Sequence, residues 1–114
     1  MRLVPVYRIT VFVPPAHLET LRRGICAVDS LRQGDYEHGM WISAPGMEQF
    51  RPLSGAQPSQ GRIGELEQVE TVCLELCIPR DPARLQRLIE QGIRPHHPWD
   101  MPAIFVDESL FPLP

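Results

Sequence analysis

Two stretches of strict alternation constrain this chain more than any other feature. In "VYRITVFVPP", Tyr7, Ile9, Val11 and Val13 alternate with Arg8, Thr10 and Phe12; in "LEQVETVCLELCIP", Val72, Leu74, Leu76 and Ile78 alternate with Thr71, Cys73, Glu75 and Cys77. Successive side chains of a strand point to opposite faces, so each stretch predicts a strand with one wholly apolar face. A helical pattern follows each. Leu18, Leu21, Ile25 and Val28 recur at spacings of three and four and form one stripe. Beyond Ile78, Asp81 is a natural N-cap, Pro82 suits the first helical position, Leu85, Leu88 and Ile89 form the stripe, and Gly92 reads as the C-terminal stop. Each stripe needs a sheet face to cover, and each strand face needs a helix.

Residues 31–64 are rich in Gly and Pro and long for a plain connection. Here Ala44-Pro45-Gly46 is a turn signal between two short strand candidates, Met40 to Ser43 and Gln49 to Leu53, which predicts a hairpin. "SGAQPSQGRIG" has the composition of a mobile loop that orders with a ligand or a neighbouring subunit. "AIFVDESLFPLP" supplies a last strand, Ala103 to Val106, and a proline-flanked tail. The order strand, helix, hairpin, strand, helix, strand predicts an α+β fold in one domain covering residues 1–114. The expected architecture is a ferredoxin-like βαββαβ sandwich with an inserted β-hairpin.

A formal net charge of -3, with 11 Lys+Arg in no dense cluster, argues against nucleic acid as a partner. No apolar run approaches the ~18 residues of a membrane span, and the N-terminus lacks a cleavage pattern, so the expected location is cytoplasmic. Cys73 and Cys77 on one strand lie roughly 13 Å apart, too far for a disulfide or for one shared ion, which leaves the three cysteines as reduced space-fillers.

"YRITVFVP", "GDYEH", "FRPLSGAQP", "GRIGELEQVE" and "HPWDMP", in this order, resemble the PII-like and CutA-like module of the YqfO branch of the Nif-three-like proteins, which occurs as an insert and as a stand-alone chain. The resemblance runs from Tyr7 to about Ile104 and is most specific at Phe50 to Pro58, at Gly64 and Glu67, and at the final His-Pro. That family continues its His-Pro with Tyr-Glu-Glu-Pro, whereas here Trp99-Asp100-Met101-Pro102 follows, so one acid is replaced by methionine. Likewise, Gly34-Asp35-Tyr36-Glu37 stands where the family has Gly-Asn-Tyr-Asp. The metal ligands of the Nif-three-like core lie in lobes outside this module, so hydrolase-like activity does not transfer. The resemblance implies a homotrimer that binds or senses a small ligand or metal ion.

The candidate site residues follow. In "RPHHPWDMP", Pro98 holds His97 extended, and adjacent side chains on extended backbone point to opposite sides, so only one of His96 and His97 faces a given pocket; the resemblance favours His97 as the candidate ligand. His97, with His38 and Glu37, is the expected metal set, since imidazole and carboxylate suit a divalent transition ion; Asp35, Glu67, Glu70 and Glu75 are further partners. No local ligand spacing exists, so such a site assembles from distant segments or across subunits. The competing reading of His97 is a brace that holds a turn by hydrogen bonds. Arg51 and Arg62, with Tyr36, are the candidates for a small anionic ligand in a PII-like cleft. No serine or cysteine sits in a nucleophile context and no phosphate loop is present, so a binding or sensor module leads. A small metal-dependent enzyme and a protein-docking module are the alternatives.

Overall fold

The computed structural model describes residues 1–114. It contains β1 (Arg2–Val13), α1 (Leu18–Val28), β2 (Trp41–Ile42), β3 (Gly46–Phe50), β4 (Glu67–Pro79), α2 (Pro82–Arg87) and β5 (Ile104–Leu113). The strands form one antiparallel sheet in the order β2-β4-β1-β5, with β3 also paired to β4, so the architecture is α+β. The two alternating stretches are central neighbours in register: Ile9 lies opposite Leu76, Val11 opposite Leu74 and Val13 opposite Val72. Their shared apolar face packs with Leu21 and Ile25 of α1 and with Leu88 and Ile93, all buried. Each such side chain contributes about 1.5–3 kcal/mol of burial, which makes this layer the main source of stability. No helix is long and apolar enough to cross a membrane.

The expected hairpin about Ala44-Pro45-Gly46 does not form. Trp41 and Ile42 pair with Glu75 and Leu74, and Gly46 to Phe50 pair with Thr71 to Glu67, so both segments lie antiparallel along β4. Between them the chain takes one residue more than β4 does, a bulge in which the Cys73 N–H donates to Ser43 Oγ at 2.8 Å and the Ser43 N–H to the Cys73 carbonyl at 3.0 Å. A bulge tolerates Pro45, and the long β4 offers more partners than a two-stranded ribbon. The true hairpin is β3–β4, closed by residues 51–66.

β1 and β5 run further than expected. β1 starts at Arg2 and β5 ends at Leu113, and they pair from Arg2↔Leu113 to Val11↔Ile104 while β4 joins only from Val6. Pro5 sits in the part of β1 that β4 does not reach, where a missing N–H costs no bond on that side. With the β3–β4 arm at the opposite end, this ribbon stretches the molecule to 51 × 28 × 23 Å.

Gly92 is not a stop. Helical winding continues through a π-type turn, Leu88–Ile93, and a 3-10 turn, Arg94–His96. A Cβ on Gly92 would lie 3.4 Å from the Ile25 Cα, so glycine serves here for the close approach of the two helices. Gly24 does the same for His96, whose ring occupies the space a Cβ would need and whose Nδ1–H donates to the Gly92 carbonyl at 2.8 Å.

Asp81 caps α2 as expected, accepting from the Ala83 and Arg84 N–H groups. Arg84 is tied to the end of α1 through Asp29: Nε and Nη2 donate to the two carboxylate oxygens at 2.6 and 2.7 Å, and Asp29 also accepts the Leu31 N–H. Leu31 is buried with a left-handed φ of 56°, a conformation unfavourable for leucine that the Asp29 bond helps to hold. The Arg84 guanidinium holds the Asp29 carboxyl below its usual range. Such a lowered carboxyl stabilises the fold at pH values above its unfolded pKa, and that stability is lost as pH falls from about 4. Arg84→Ala leaves the nearly buried Asp29 charge without its partner and is expected to cost about 3 kcal/mol in urea denaturation at pH 7, with the difference from wild type shrinking below pH 4. A loss under about 0.5 kcal/mol, typical of an exposed pair, would contradict this role.

Candidate functional site

The residues after α2 cross the end of the sheet to enter β5, and His97 is where they are fixed. It leaves the 3-10 turn with extended backbone, φ -104° and ψ 138°, and is only 7% exposed. Its Nε2 lies 2.7 Å from the Phe12 carbonyl, which only accepts, so Nε2 carries the proton. Nδ1 is therefore the lone pair, and it accepts the Trp99 N–H at 3.1 Å. Both ring nitrogens are spent on backbone groups of β1 and of the next turn, so His97 is a brace and offers no lone pair to a metal ion. His96 lies on a 3-10 turn against Gly24, so it too is a structural contact and not a spectator.

The brace sets the Trp99 turn against the β3–β4 loop. Trp99 packs on Phe50 with ring centroids 5.5 Å apart, and on the His97 ring at the same distance. The Gln57 N–H donates to Asp100 Oδ2 at 3.2 Å and Ser59 Oγ–H donates to the Pro98 carbonyl at 2.7 Å. Within the loop, Gly64 N–H bonds the Pro52 carbonyl, Gln60 bonds Glu67, and Pro52 is buried. The segment expected to order only with a ligand or a neighbouring subunit thus has anchors of its own.

Between loop and turn opens a cleft of ≈ 590 Å³, walled by Phe50, Pro52, Trp99 and Met101 and carrying Glu48, Arg51 and Asp100 as its charged groups. Glu48 Oε1 is buried without a hydrogen-bond partner. Burial pushes the Glu48 carboxyl above its usual range, and the Thr71 hydroxyl only partly offsets this. The fold's other buried side-chain polar atoms are hydrogen-bonded, so this oxygen stands open to a donor that enters the cleft.

Of the residues expected at a site, Arg51 alone lines this cleft. Arg62, His38 and Glu37 are exposed elsewhere, and Tyr36, 83% exposed, borders a second hollow of ≈ 410 Å³ over Arg8, Glu75 and Cys77. No three His, Cys, Asp or Glu side chains lie together in a way that suits a metal ion, so His97, His38 and Glu37 do not form the expected set within one chain. The thiols of Cys26, Cys73 and Cys77 are each pushed up by burial, opposite to the activation a nucleophile needs. Sequence reasoning missed Glu48, Phe50, Trp99 and Asp100 as site residues. The last three fall within the quoted motif stretches, whereas Glu48 carries no sequence signal beyond its place on a strand.

The comparisons with known proteins converge on one portion of larger proteins. No family model matches the chain. The GTP cyclohydrolase 1 type 2 homolog of Bacillus subtilis is 30% identical over 96 residues, 84% of this chain and 25% of that protein. Its Mycobacterium tuberculosis namesake is 31% identical over 93 residues, 82% of this chain and 24% of that protein. A solved Bacillus cereus protein related to NIF3 superposes with a TM-score of 0.75 at 27% identity, over 96% of this chain and 27% of that one. GlnK of B. subtilis superposes at 0.52 and 14% identity, over 92% of this chain and 85% of that one, and so does its ATP complex, at 0.52 and 15%; this likeness concerns the fold alone. The chain spans about a quarter of the length of the curated relatives it matches.

A pH dependence follows from the His97 brace. Burial, chiefly, and the nearby His17 lower its pKa, while the Phe12 bond raises it. The folded state thus binds this proton less readily than the unfolded chain. Its stability is full above the unfolded pKa near 6.5 and falls as pH drops below that value, because a second ring proton would face the Trp99 N–H. Denaturation from pH 8 to 5 is expected to show a loss beginning near pH 6.5 that is absent in His97→Ala, which is itself destabilised by about 2–3 kcal/mol at pH 8. A variant with wild-type stability and the same acid profile would contradict the brace.

Proposed function

The chain belongs to the NIF3-like family, over the portion of those proteins that it spans, and we propose that it serves as a PII-like module that binds or senses a small ligand in the cleft at Trp99. One observation carries this reading: the stretch most specific to the family, Phe50 to Pro58, and the Trp99 to Pro102 turn that follows the His-Pro pair are separate in sequence and build the two walls of one cleft. A plain connector has no need of that convergence, nor of an unpaired buried carboxylate oxygen between the walls. The strand order β2-β4-β1-β5 supports a ferredoxin-like arrangement, and GlnK, of similar fold, has been solved with ATP, a small ligand. Binding without catalysis is favoured because neither a free hydroxyl nor a free imidazole serves the cleft: Ser59 Oγ is engaged with the Pro98 carbonyl and both nitrogens of the adjacent His97 with backbone.

A homotrimer belongs to the same proposal. The sheet face away from the helices carries Trp41, 62% exposed, and Phe105, 58% exposed, and β5 is a long edge strand; contact with further copies covers such surfaces. A divalent ion, if one is held, belongs at such a junction around the exposed His38 and Glu37, with the partner supplying further ligands.

Light scattering at micromolar concentration is expected to give three times the 13.0 kDa chain mass, and a monomer would contradict the trimer. Thermal-shift measurements against nucleotides, amino-heterocycles and divalent cations are expected to find a small ligand that raises the melting temperature of wild type and not of Trp99→Ala. No stabilisation by any class, or equal stabilisation of both proteins, would contradict the binding reading.

A further inference from the structure

Resting on the reading of the cleft as a ligand site, we infer that it takes a flat ring presenting N–H donors along one edge, neutral or cationic, and not a phosphate-bearing nucleotide. Charge is the first argument. Glu48 and Asp100 face Arg51 alone among the charged lining groups, so an anion entering the cleft meets two carboxylates for one guanidinium. Arg51 is itself exposed and makes no ion pair, whereas Glu48 is half-buried and its Oε1 is held away from water. Burial strengthens a charge interaction, so the buried carboxylate outweighs the solvated arginine in setting what is accepted.

The unpaired oxygen is the second argument. A buried carboxylate oxygen without a donor carries a desolvation cost that an N–H from a ligand removes, and a charge-assisted bond of this kind is stronger than a neutral one. An aldehyde, a sugar carbonyl or a phosphate presents acceptors here and leaves the cost in place. The ligand must therefore bring donors.

Shape is the third. Phe50 and Trp99 are inclined by 55° with centroids 5.5 Å apart, and Pro52, Pro58, Pro102 and Met101 continue the wall. These surfaces favour a planar group laid against a ring face, and the negative face of an aromatic ring favours one that carries positive charge. The volume of ≈ 590 Å³ lies within the range of small-molecule sites.

The test uses the Trp41→Phe protein, in which Trp99 is the one remaining tryptophan and its fluorescence reports on the cleft. It is titrated with 2-aminobenzimidazole, a flat ring with an N–H donor edge, and separately with ATP and with benzoate. The expected result is saturable quenching by 2-aminobenzimidazole at a concentration at least about tenfold below that needed for ATP or benzoate, and a further loss of about tenfold or more in Glu48→Gln. The melting temperature of Glu48→Gln is expected not to fall, because the substitution removes a buried charge; this separates a binding role from a structural one. Tighter binding of ATP, or unchanged binding of 2-aminobenzimidazole to Glu48→Gln, overturns the ligand class and leaves the cleft as a site. Absence of quenching by every probe, together with absence of any thermal shift, overturns both.

Discussion

The imidazole of His97 holds the cleft end of this molecule in place. It is one buried ring in one tautomer, donating to the Phe12 carbonyl and accepting from the Trp99 N–H. The first bond ties the segment after α2 to a central strand. The second aims Trp99 at Phe50, and the hydrogen bonds of Ser59 and Gln57 then fasten the β3–β4 loop to the same turn. In a water-poor setting such bonds gain strength, and losing one leaves a backbone group unsatisfied. The cleft therefore depends on the brace, which sets the Trp99 turn where Phe50, Gln57 and Ser59 can reach it.

The sheet and helices around it were legible because their signals are local. Alternation at Tyr7–Val13 and Val72–Ile78 and the three-four spacing in both helices identify core positions that the structure buries, Ile9, Val11, Leu74, Ile78, Leu21, Ile25 and Leu88 among them. Misreadings arose where the deciding partner is distant. Ala44-Pro45-Gly46 has turn chemistry, yet the long β4 aligns both flanking segments and turns it into a bulge. Gly92 resembles a helix stop, but the approach of Ile25 from the other helix is what demands glycine.

The same distinction explains the site. His97 looks like a metal ligand in sequence because the groups that take up its nitrogens are a backbone carbonyl and a backbone N–H, which leave no mark in side-chain letters. Phe50, Trp99 and Asp100 lie inside the motif stretches, so their presence was visible while their meeting was not. Glu48 was illegible altogether: its importance rests on one oxygen left without a partner, a property of the folded surroundings. A segment that matches about a quarter of each larger relative thus carries a cleft built within its own fold.

Whether one imidazole assembles the cleft is decided by amide hydrogen exchange on wild type and His97→Ala at pH 8. The account predicts that the variant loses protection at the Trp99 and Gln57 amides and through residues 53–64, while amides of β1 and β4 in the central sheet keep theirs. Unchanged protection at Trp99 and Gln57 in the variant would contradict it, and would mean that the two walls hold together without the histidine.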